Sequence, residues 1–219
     1  MAVQQYLMMG RSGTDRQVIT GELHVYGKNV RGQAGVGDDV LVSDPQQIGS
    51  LTDWQNTMQP AYANNTGHVK ADGTLWMAGR NIGGILGLGD TTARSSPTQV
   101  GSLTDWKELA FWGDAAGAVK TDGTLWTWGS SASGQLGHGD STARSSPTQV
   151  GSLTDWAHVV TDSAAWMIAM KTDGTIWRCG DALGGLTGGG VSSPVQVGSE
   201  SGFADCVGGA GTIFFWKEA

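Results

Sequence analysis

The chain has 219 residues and a net charge of −7, with only 13 Lys and Arg, so it lacks the clustered cations that a nucleic-acid-binding surface or an anionic membrane surface requires. Its 36 Gly and 5 Pro are an excess that often accompanies disorder. Ten Trp and a hydrophobic fraction of 39% indicate a folded chain instead, and no Gly-X-Y period runs through it, which excludes collagen.

The first ten residues hold an apolar patch with no basic residue before it, so we expect no signal peptide. Within this patch, residues 6–9 (YLMM) predict a strand. No apolar run approaches the roughly 18 residues of a membrane span. The two cysteines, Cys179 and Cys206, are too few for a disulfide framework or a zinc site, and we expect buried free thiols.

Internal repeats organise most of the chain. The segment TARSSPTQVGSLTDW occupies residues 92–106 and recurs unchanged at 142–156. A DGTLW or DGTIW segment and a Gly-rich loop recur with the same spacing of about 50 residues. We therefore interpret residues 1–219 as one domain of four repeats, at approximately 21–72, 73–122, 123–173 and 174–219, with an N-terminal strand at 5–27.

Each repeat is expected to consist of short strands. An Asp-Gly pair lies between β-prone runs in three repeats, which is a strong hairpin signal and predicts a type I′ turn. In the third repeat, residues 125–128 (LWTW) alternate between the two faces of a sheet. No segment keeps a 3.6-residue apolar period, so helix should be minor.

A unit of this size cannot bury both faces of its sheet alone, and radial stacking of neighbouring blades solves that problem. Large aromatic side chains recur at two fixed positions of the repeat, as blade-to-blade packing requires. We predict a structural core at Trp54, Trp76, Trp106, Trp126, Trp156 and Trp177. Phe203 occupies the first of these positions in the fourth repeat.

The repeat resembles that of the regulator of chromosome condensation family. The segments that carry the resemblance are TWGSSASGQLGHGDSTARSSPTQV from Thr127 and KTDGTLWTWG from Lys120. It covers residues 20–219 and implies an all-β fold, a β-propeller, which in this family usually has seven blades. About four repeats are present here, and similar compact repeat proteins occur in bacteria and in tailed bacteriophages.

Two arrangements of the ends remain open. Residues 212–217 (TIFFWK) match residues 166–171, and residues 22–27 (ELHVYG) match the strand that should follow them. Joining the two segments would close a four-bladed ring. The additional strand at residues 6–9 favours an open arc with truncated terminal blades, whose exposed edges would need a partner or another copy.

No catalytic pattern is present in the sequence. The four histidines lie at different positions of the repeat, without metal-ligand spacing, and no nucleophile elbow or phosphate-binding loop occurs. The recurring Gly-x-Gly-Asp is interpreted as a turn rather than a calcium site, because calcium β-rolls repeat every nine residues. We therefore expect no enzyme activity, no metal and no cofactor. Candidate exposed binding residues, with turn formation as the alternative, are Asn29, Arg31, Arg80, Asn81 and Ser131.

The leading functional hypothesis is a non-enzymatic structural or adhesive component of a bacteriophage particle, in the capsid, tail or fibre. Low charge indicates a surface that is buried in an assembly, so the expected partners are other virion proteins, further copies of the chain or a host surface. The alternative, implied by the family resemblance, is a cytoplasmic interaction module of the guanine-nucleotide-exchange type that acts on a small GTPase. Neither a nucleic acid nor a membrane is an expected partner.

Overall fold

The protein was analysed as a computed structural model, which describes residues 20–55, 64–160, 166–181, 190–209 and 212–217. These residues form an all-β structure whose one 3-10 turn, within the part described, spans Ile82–Gly84. The strands are β1 (Thr20–Gly21), β2 (His24–Gly27), β3 (Val42–Gln47), β4 (Trp54–Gln55), β5 (Asn65–Val69), β6 (Leu75–Gly79), β7 (Arg94–Gln99), β8 (Trp106–Trp112), β9 (Ala115–Lys120), β10 (Leu125–Gly129), β11 (Arg144–Gln149), β12 (Trp156–Val160), β13 (Trp166–Lys171), β14 (Ile176–Gly180), β15 (Val191–Gln196), β16 (Asp205–Gly209) and β17 (Thr212–Trp216).

Two four-stranded antiparallel sheets show the complete blade. One contains β8 to β11 in chain order and the other β12 to β15. Strands β5 to β7 form a third sheet, to which β4 is joined by a bridge between Trp54 and Lys70. Each blade starts at the Trp that ends the repeated 15-residue segment, so the blades are out of phase with the sequence repeats.

The two ends of the chain contribute two-stranded sheets. Strands β2 and β3 correspond to the third and fourth strands of a blade, and β16 and β17 to the first and second. Among the described strands, β2 pairs with β3 alone and β17 with β16 alone, so no ring closure is present in this part of the chain. The strand predicted at residues 6–9 lies outside the described residues.

The Asp-Gly hairpins are confirmed, but the turn type is wrong. In the hairpin between β9 and β10, the Gly123 amide donates to the Lys120 carbonyl at 3.0 Å. The Lys120 amide in turn donates to the Thr124 carbonyl at 3.0 Å. The turn therefore starts one residue earlier than a type I′ turn centred on Asp122 and Gly123 would. Gly123 follows the turn with φ of 78°, as in hairpins that carry a glycine bulge.

The six tryptophans predicted as a structural core form three T-shaped pairs, one in each blade. Trp106 is 2% exposed, and the half-buried Trp126 meets it edge to face at 6.0 Å and 81°. The equivalent pairs are Trp54 with Trp76 at 6.2 Å and Trp156 with Trp177 at 6.0 Å. Only the first member of each pair is fully buried; the second is half-buried and lies at the hairpin end of an interior strand of its sheet.

A buried lysine completes each pair. The ammonium of Lys120 lies 4.4 Å from the ring centre of Trp126 and 3.3 Å from a carboxylate oxygen of Asp105. The equivalent ion pairs are Lys70 with Asp53 at 2.9 Å and Lys171 with Asp155 at 3.2 Å. Burial removes each ammonium group from water, and its contacts with the indole faces and the carboxylate together compensate for the lost hydration. These lysines occupy one position of the sequence repeat, but sequence reasoning did not assign them a role.

The Asp-Gly-Thr-x-Trp segment is held by a short hydrogen-bond relay. The Thr124 hydroxyl donates to an Asp122 carboxylate oxygen at 2.6 Å and accepts the indole N–H of Trp126 at 2.8 Å. The hydrogen bonds from the Thr124 hydroxyl and amide lower the pKa of the Asp122 carboxyl. The relay recurs at Asp72–Thr74–Trp76 and at Asp173–Thr175–Trp177.

Neighbouring blades interlock through their side chains. The indole of Trp128 is wholly buried, and its N–H donates at 2.7 Å to the Ile85 carbonyl in the Gly-rich loop of the preceding blade. His158 and Glu108, on the first strands of adjacent blades, are joined through Nδ1 and a carboxylate oxygen 2.9 Å apart.

The Gly-rich loop lies directly against the fourth strand of the next blade. The amide of Gly89 donates to the Ser145 carbonyl at 2.8 Å. A Cβ on Gly84, which has φ of 82°, would lie 2.4 Å from the Ser145 Cα. Glycine is therefore required at this position by both the backbone conformation and the close approach of two chain segments.

Replacing Lys120 by Met keeps the length of the side chain and removes its charge. We expect the free energy of unfolding to fall by roughly 1–2 kcal/mol, since the indole contacts and the partly exposed Asp105 ion pair are lost together. Urea unfolding followed by tryptophan fluorescence measures the change. Lys107→Met, at an exposed position of the neighbouring strand, is the matched control. Equal losses in the two variants would contradict this role for Lys120.

One histidine lies in a desolvated position. The His68 ring on β5 stands edge-on to Trp54 at 5.8 Å, and its Nε2 lies 3.1 Å from the Thr66 hydroxyl. Burial lowers the pKa of His68 from 6.5 to about 4. The equivalent residue in the next two blades is Ala118 or Ala169. Protonation of His68 is therefore coupled to unfolding.

Stability should fall as the pH decreases from about 6.5 to about 4. In this window the unfolded chain binds a proton at His68 that the folded chain excludes, which corresponds to up to about 3 kcal/mol. Urea unfolding across the pH range tests this expectation. His68→Ala should flatten the dependence, whereas His24→Ala, at an exposed ring, should leave it unchanged. An unaltered profile in His68→Ala would show that other groups cause the decrease.

Candidate protein-interaction site

Three of the five predicted binding residues are not exposed. Asn29, Asn81 and Ser131 are 0%, 2% and 1% exposed, so the expectation that they form an accessible binding surface is wrong. They occupy one position at the start of successive Gly-rich loops, where the side chain turns inward. Their geometry supports the alternative interpretation as turn formers.

Asn81 organises its loop through both ends of its amide group. Its Nδ2 donates to the carbonyls of Asp90 and Thr92, each at 3.0 Å, and its Oδ1 accepts the Leu86 amide at 2.9 Å. Asn29 makes equivalent bonds to Asp38 and Ala34. A buried amide side chain thus satisfies backbone groups that the tight loop leaves without partners.

The other two predicted residues are at least partly accessible. Arg31 is exposed, and Arg80 is half-buried with a guanidinium nitrogen 3.9 Å from a carboxylate oxygen of Asp114. The Gly-x-Gly-Asp carboxylates are used within the loop: Asp90 accepts the Thr92 amide and pairs with Arg94 at 2.6 Å. The amide and the guanidinium lower the pKa of Asp90.

A groove at the junction of the last two complete blades provides the best candidate site. It has a volume of about 310 Å³ and is lined by Trp156, Trp177, Leu153, Pro194 and His138, with small residues between them. Leu153 is 45% exposed although it is apolar. We call this surface the Leu–Trp groove.

The polar group on the wall of the groove is held uncharged at neutral pH. The His138 Nε2 lies 2.9 Å from the Thr127 hydroxyl. Burial, with a smaller contribution from the nearby Arg144, lowers the pKa of His138. The groove therefore presents an apolar and aromatic wall without a fixed charge.

The residues of the Leu–Trp groove recur one blade earlier. Leu103, Trp106 and Trp126 hold the positions of Leu153, Trp156 and Trp177, and Leu103 is 39% exposed. Two exposed leucines thus lie about one blade apart beside half-buried indoles. Sequence reasoning missed this feature, although the leucines lie inside the duplicated 15-residue segment, because both tryptophan positions were assigned to the core.

A larger cavity of about 430 Å³ differs in chemistry. It is lined by small and acidic residues, including Asp140, Asp181 and Ser192. Binding energy at protein interfaces is concentrated in aromatic and apolar anchors that enter pockets, which favours the Leu–Trp groove as the protein-binding surface.

Both cysteines are buried free thiols, as predicted. The Cys179 thiol lies 3.2 Å from the Gln135 carbonyl of the preceding blade, and burial raises its pKa to about 12. It is therefore protonated at neutral pH. In the described ranges, no helix has the length and apolarity to cross a membrane.

Sequence comparison identifies the type of repeat. Residues 122–167 match the model of the Regulator of chromosome condensation (RCC1) repeat. The chain is 42% identical over 84 residues to the Ultraviolet-B receptor UVR8 of Arabidopsis thaliana, an alignment that covers 37% of this chain and 19% of the receptor.

Structural comparison confirms the all-β propeller fold. Human WBSCR16 matches with a TM-score of 0.73 and 17% identity, over 91% of this chain and 54% of that protein. Prp20p of Saccharomyces cerevisiae, whose structure is described with its binding to Gsp1p and histones, matches with 0.73 and 16% identity, over 87% and 50%. Yeast RCC1 (Prp20) bound to Kap60 matches with 0.67 and 16% identity, over 87% and 48%. The chain thus spans about half the length of these structures.

Replacing Ser131 by Asn should stabilise the third Gly-rich loop. The Ser131 hydroxyl is buried and has no hydrogen-bond partner among the described residues. In each of the first two loops an Asn at this position accepts a backbone amide of its own loop instead. We expect a gain of about 1 kcal/mol in the free energy of unfolding, measured in urea. The reverse change, Asn81→Ser, should cost about 1–3 kcal/mol. A loss of stability in Ser131→Asn would show that the third loop cannot accommodate the larger side chain.

Proposed function

Since residues 122–167 match the RCC1 repeat and the chain has the corresponding propeller fold, we propose that it is a non-enzymatic interaction module that binds a partner protein through the Leu–Trp groove. The observation that carries the proposal is the exposure of Leu103 and Leu153 at one position of successive blades, beside half-buried indoles. Such side chains are the usual anchors of protein interfaces.

Proteins with this fold provide a precedent for binding proteins. Prp20p is described as binding Gsp1p and histones, and yeast RCC1 (Prp20) as bound to Kap60. Histones are highly basic, and the net charge of −7 in this chain is suited to basic protein surfaces rather than to nucleic acid.

The finer proposal is that the module is a component of a bacteriophage particle, in the capsid, tail or fibre. Its support is compositional: 15% of all residues are charged, below the roughly 25% typical of a globular chain, as expected when much of the surface is buried in an assembly. Mass spectrometry of purified particles tests this setting. Absence of the protein from the particles would reject the virion role without contradicting the proposed interaction module.

The second candidate is a module that acts on a small GTPase, favoured by the structural match to Prp20p. Release of a fluorescent guanine nucleotide from a panel of small GTPases, with and without the chain, measures this activity. Acceleration on one GTPase would support the candidate, and no response across the panel would reject it.

The Leu–Trp groove is tested by site-specific photo-crosslinking. A benzophenone amino acid at position 103 or 153 should capture the same partner from extracts of the source, because the two positions are equivalent in adjacent blades. Position 107, an exposed lysine on β8, is the control, because neither it nor its equivalent Ala157 lines the groove. Leu153→Glu should weaken capture from position 103 about tenfold or more when both sites bind one partner. Identical capture from position 107 would contradict the proposal.

A further inference from the structure

The Leu–Trp groove and its equivalent one blade earlier differ at a single residue of the wall. Nine residues line the Leu–Trp groove, and eight of them have the same residue type at the equivalent position of the preceding blade. The exception is His138, which is replaced there by Leu88. Leu88 packs against the apolar cluster of its own blade junction. The two grooves therefore differ in whether the wall contains a polar group at this position.

The change at position 138 is accompanied by a change in the residue that contacts it. The Thr127 hydroxyl on β10 lies 2.9 Å from Nε2 of His138, and the equivalent of Thr127 in the preceding blade is Met77. Thr127 and Met77 are both 0% exposed. A buried hydrogen-bonding side chain thus supports His138, where the preceding blade has two apolar side chains.

The hydrogen bonds of Thr127 determine which nitrogen of His138 carries the ring proton. A hydroxyl group has one proton, and the Thr127 hydroxyl donates it to the Leu136 carbonyl at 2.6 Å. Toward His138 the Thr127 oxygen therefore accepts, so Nε2 carries the proton. The ring is uncharged at neutral pH, because burial lowers the pKa of His138. Nδ1 is consequently a bare nitrogen that can accept a hydrogen bond.

This acceptor is available to an occupant of the groove. Nδ1 of His138 has no hydrogen-bond partner among the described residues, and it is accessible, whereas Nδ1 of His68 is buried. The charged residues near the ring, Arg144 and Asp140, are paired with each other at 3.0 Å. The groove therefore combines apolar walls with one accessible acceptor and no net charge. The complementary occupant is an uncharged, largely apolar group that donates one hydrogen bond.

Among protein side chains, the indole of tryptophan has these properties. It has a large apolar ring and one N–H donor, and it has no acceptor that would be left unpaired in the groove. A Lys or Arg head group would bring a full positive charge close to Arg144, and a Tyr hydroxyl would need a donor for its own oxygen. The groove volume of about 310 Å³ is sufficient for an indole beside the half-buried Trp177.

We propose that the partner protein inserts a tryptophan side chain into the Leu–Trp groove and that its indole N–H donates to Nδ1 of His138. The inserted ring packs on Leu153 and Pro194, which line the groove. His138 makes this groove selective for an indole, whereas the equivalent groove with Leu88 selects only for an apolar side chain. This assignment rests on the proposed function, because it names the partner side chain for a groove that the proposed function uses.

Nuclear magnetic resonance of the isotope-labelled full chain tests the proposal. The probes are three capped Gly-Gly-X-Gly-Gly peptides in which X is tryptophan, 1-methyltryptophan or phenylalanine. Judged by the amide signals of Leu153 and His138, the tryptophan peptide should bind at least about fivefold more tightly than the 1-methyltryptophan peptide, because methylation removes the donated hydrogen bond. The tryptophan peptide alone should shift the Nδ1 signal of His138 in the direction of hydrogen-bond acceptance.

The chain contains its own control for this measurement. The amide signal of Leu103 reports on the equivalent groove, where methylation of the indole should cause no loss of affinity. His138→Leu should abolish the preference at Leu153. The variant should fold normally, because Leu88 holds the equivalent position and the Thr127 hydroxyl keeps its bond to Leu136.

Three results would overturn the assignment. The first is equal affinity of the two tryptophan peptides at Leu153 in the unaltered chain. The second is the absence of any shift at Leu153 with the tryptophan peptide. The third is a preference that persists in His138→Leu, since the indole N–H would then donate to another group.

Failure of this assignment is distinct from failure of the proposed function. A partner that is captured by photo-crosslinking from position 153, without any preference for the indole N–H, rejects the tryptophan and supports the interaction module. An indole preference at Leu153 without any captured partner supports the indole site and contradicts the proposed function.

Discussion

Each sheet in this protein has two apolar faces and buries them only against its neighbours. The complete blade formed by β8 to β11 lies between two hydrophobic clusters, one shared with the blade before it and one with the blade after it. Burying a large apolar side chain contributes about 1.5–3 kcal/mol, and here that contribution depends on the adjacent unit. The Gly-rich loops, the Trp pairs and the positions of the exposed residues all follow from this requirement.

The buried lysines show how a charged group is accommodated beside these apolar faces. Lys120 places its ammonium between two indoles at the end of the sheet, where the Asp105 carboxylate still reaches water. The ion pair is therefore only partly desolvated, and its cost of burial is smaller than in a closed interior. The Leu–Trp groove is lined by Trp156 and Trp177, whose rings also contact the equivalent buried lysine, Lys171. The accessible apolar surface of the groove is therefore held from below by this ion pair.

The sequence predicted the fold well because its signals are local and repeated. Residues 122–126 mark a hairpin wherever they recur, and fixed spacing places the tryptophans in a common core. The functional surface was harder to predict, since Asn81 and Leu153 have similar loop contexts but opposite burial. Whether a loop side chain turns inward depends on which backbone groups the tight turn leaves unpaired, and that depends on tertiary structure. Ring closure depends on the angle between blades, which no local pattern encodes.

The identity of residues 92–106 and 142–156 has a consequence for how the chain reaches its native order. Two identical segments compete for each other's docking positions during folding, and a shift by one repeat would preserve most of the local contacts. The residues that differ between blades then determine which segment docks at which position. Trp128 stands where the blade before has the much smaller Ala78, and Glu108 is bonded to His158 of the next blade. Near-duplication thus makes the few divergent residues responsible for the sequence of blades.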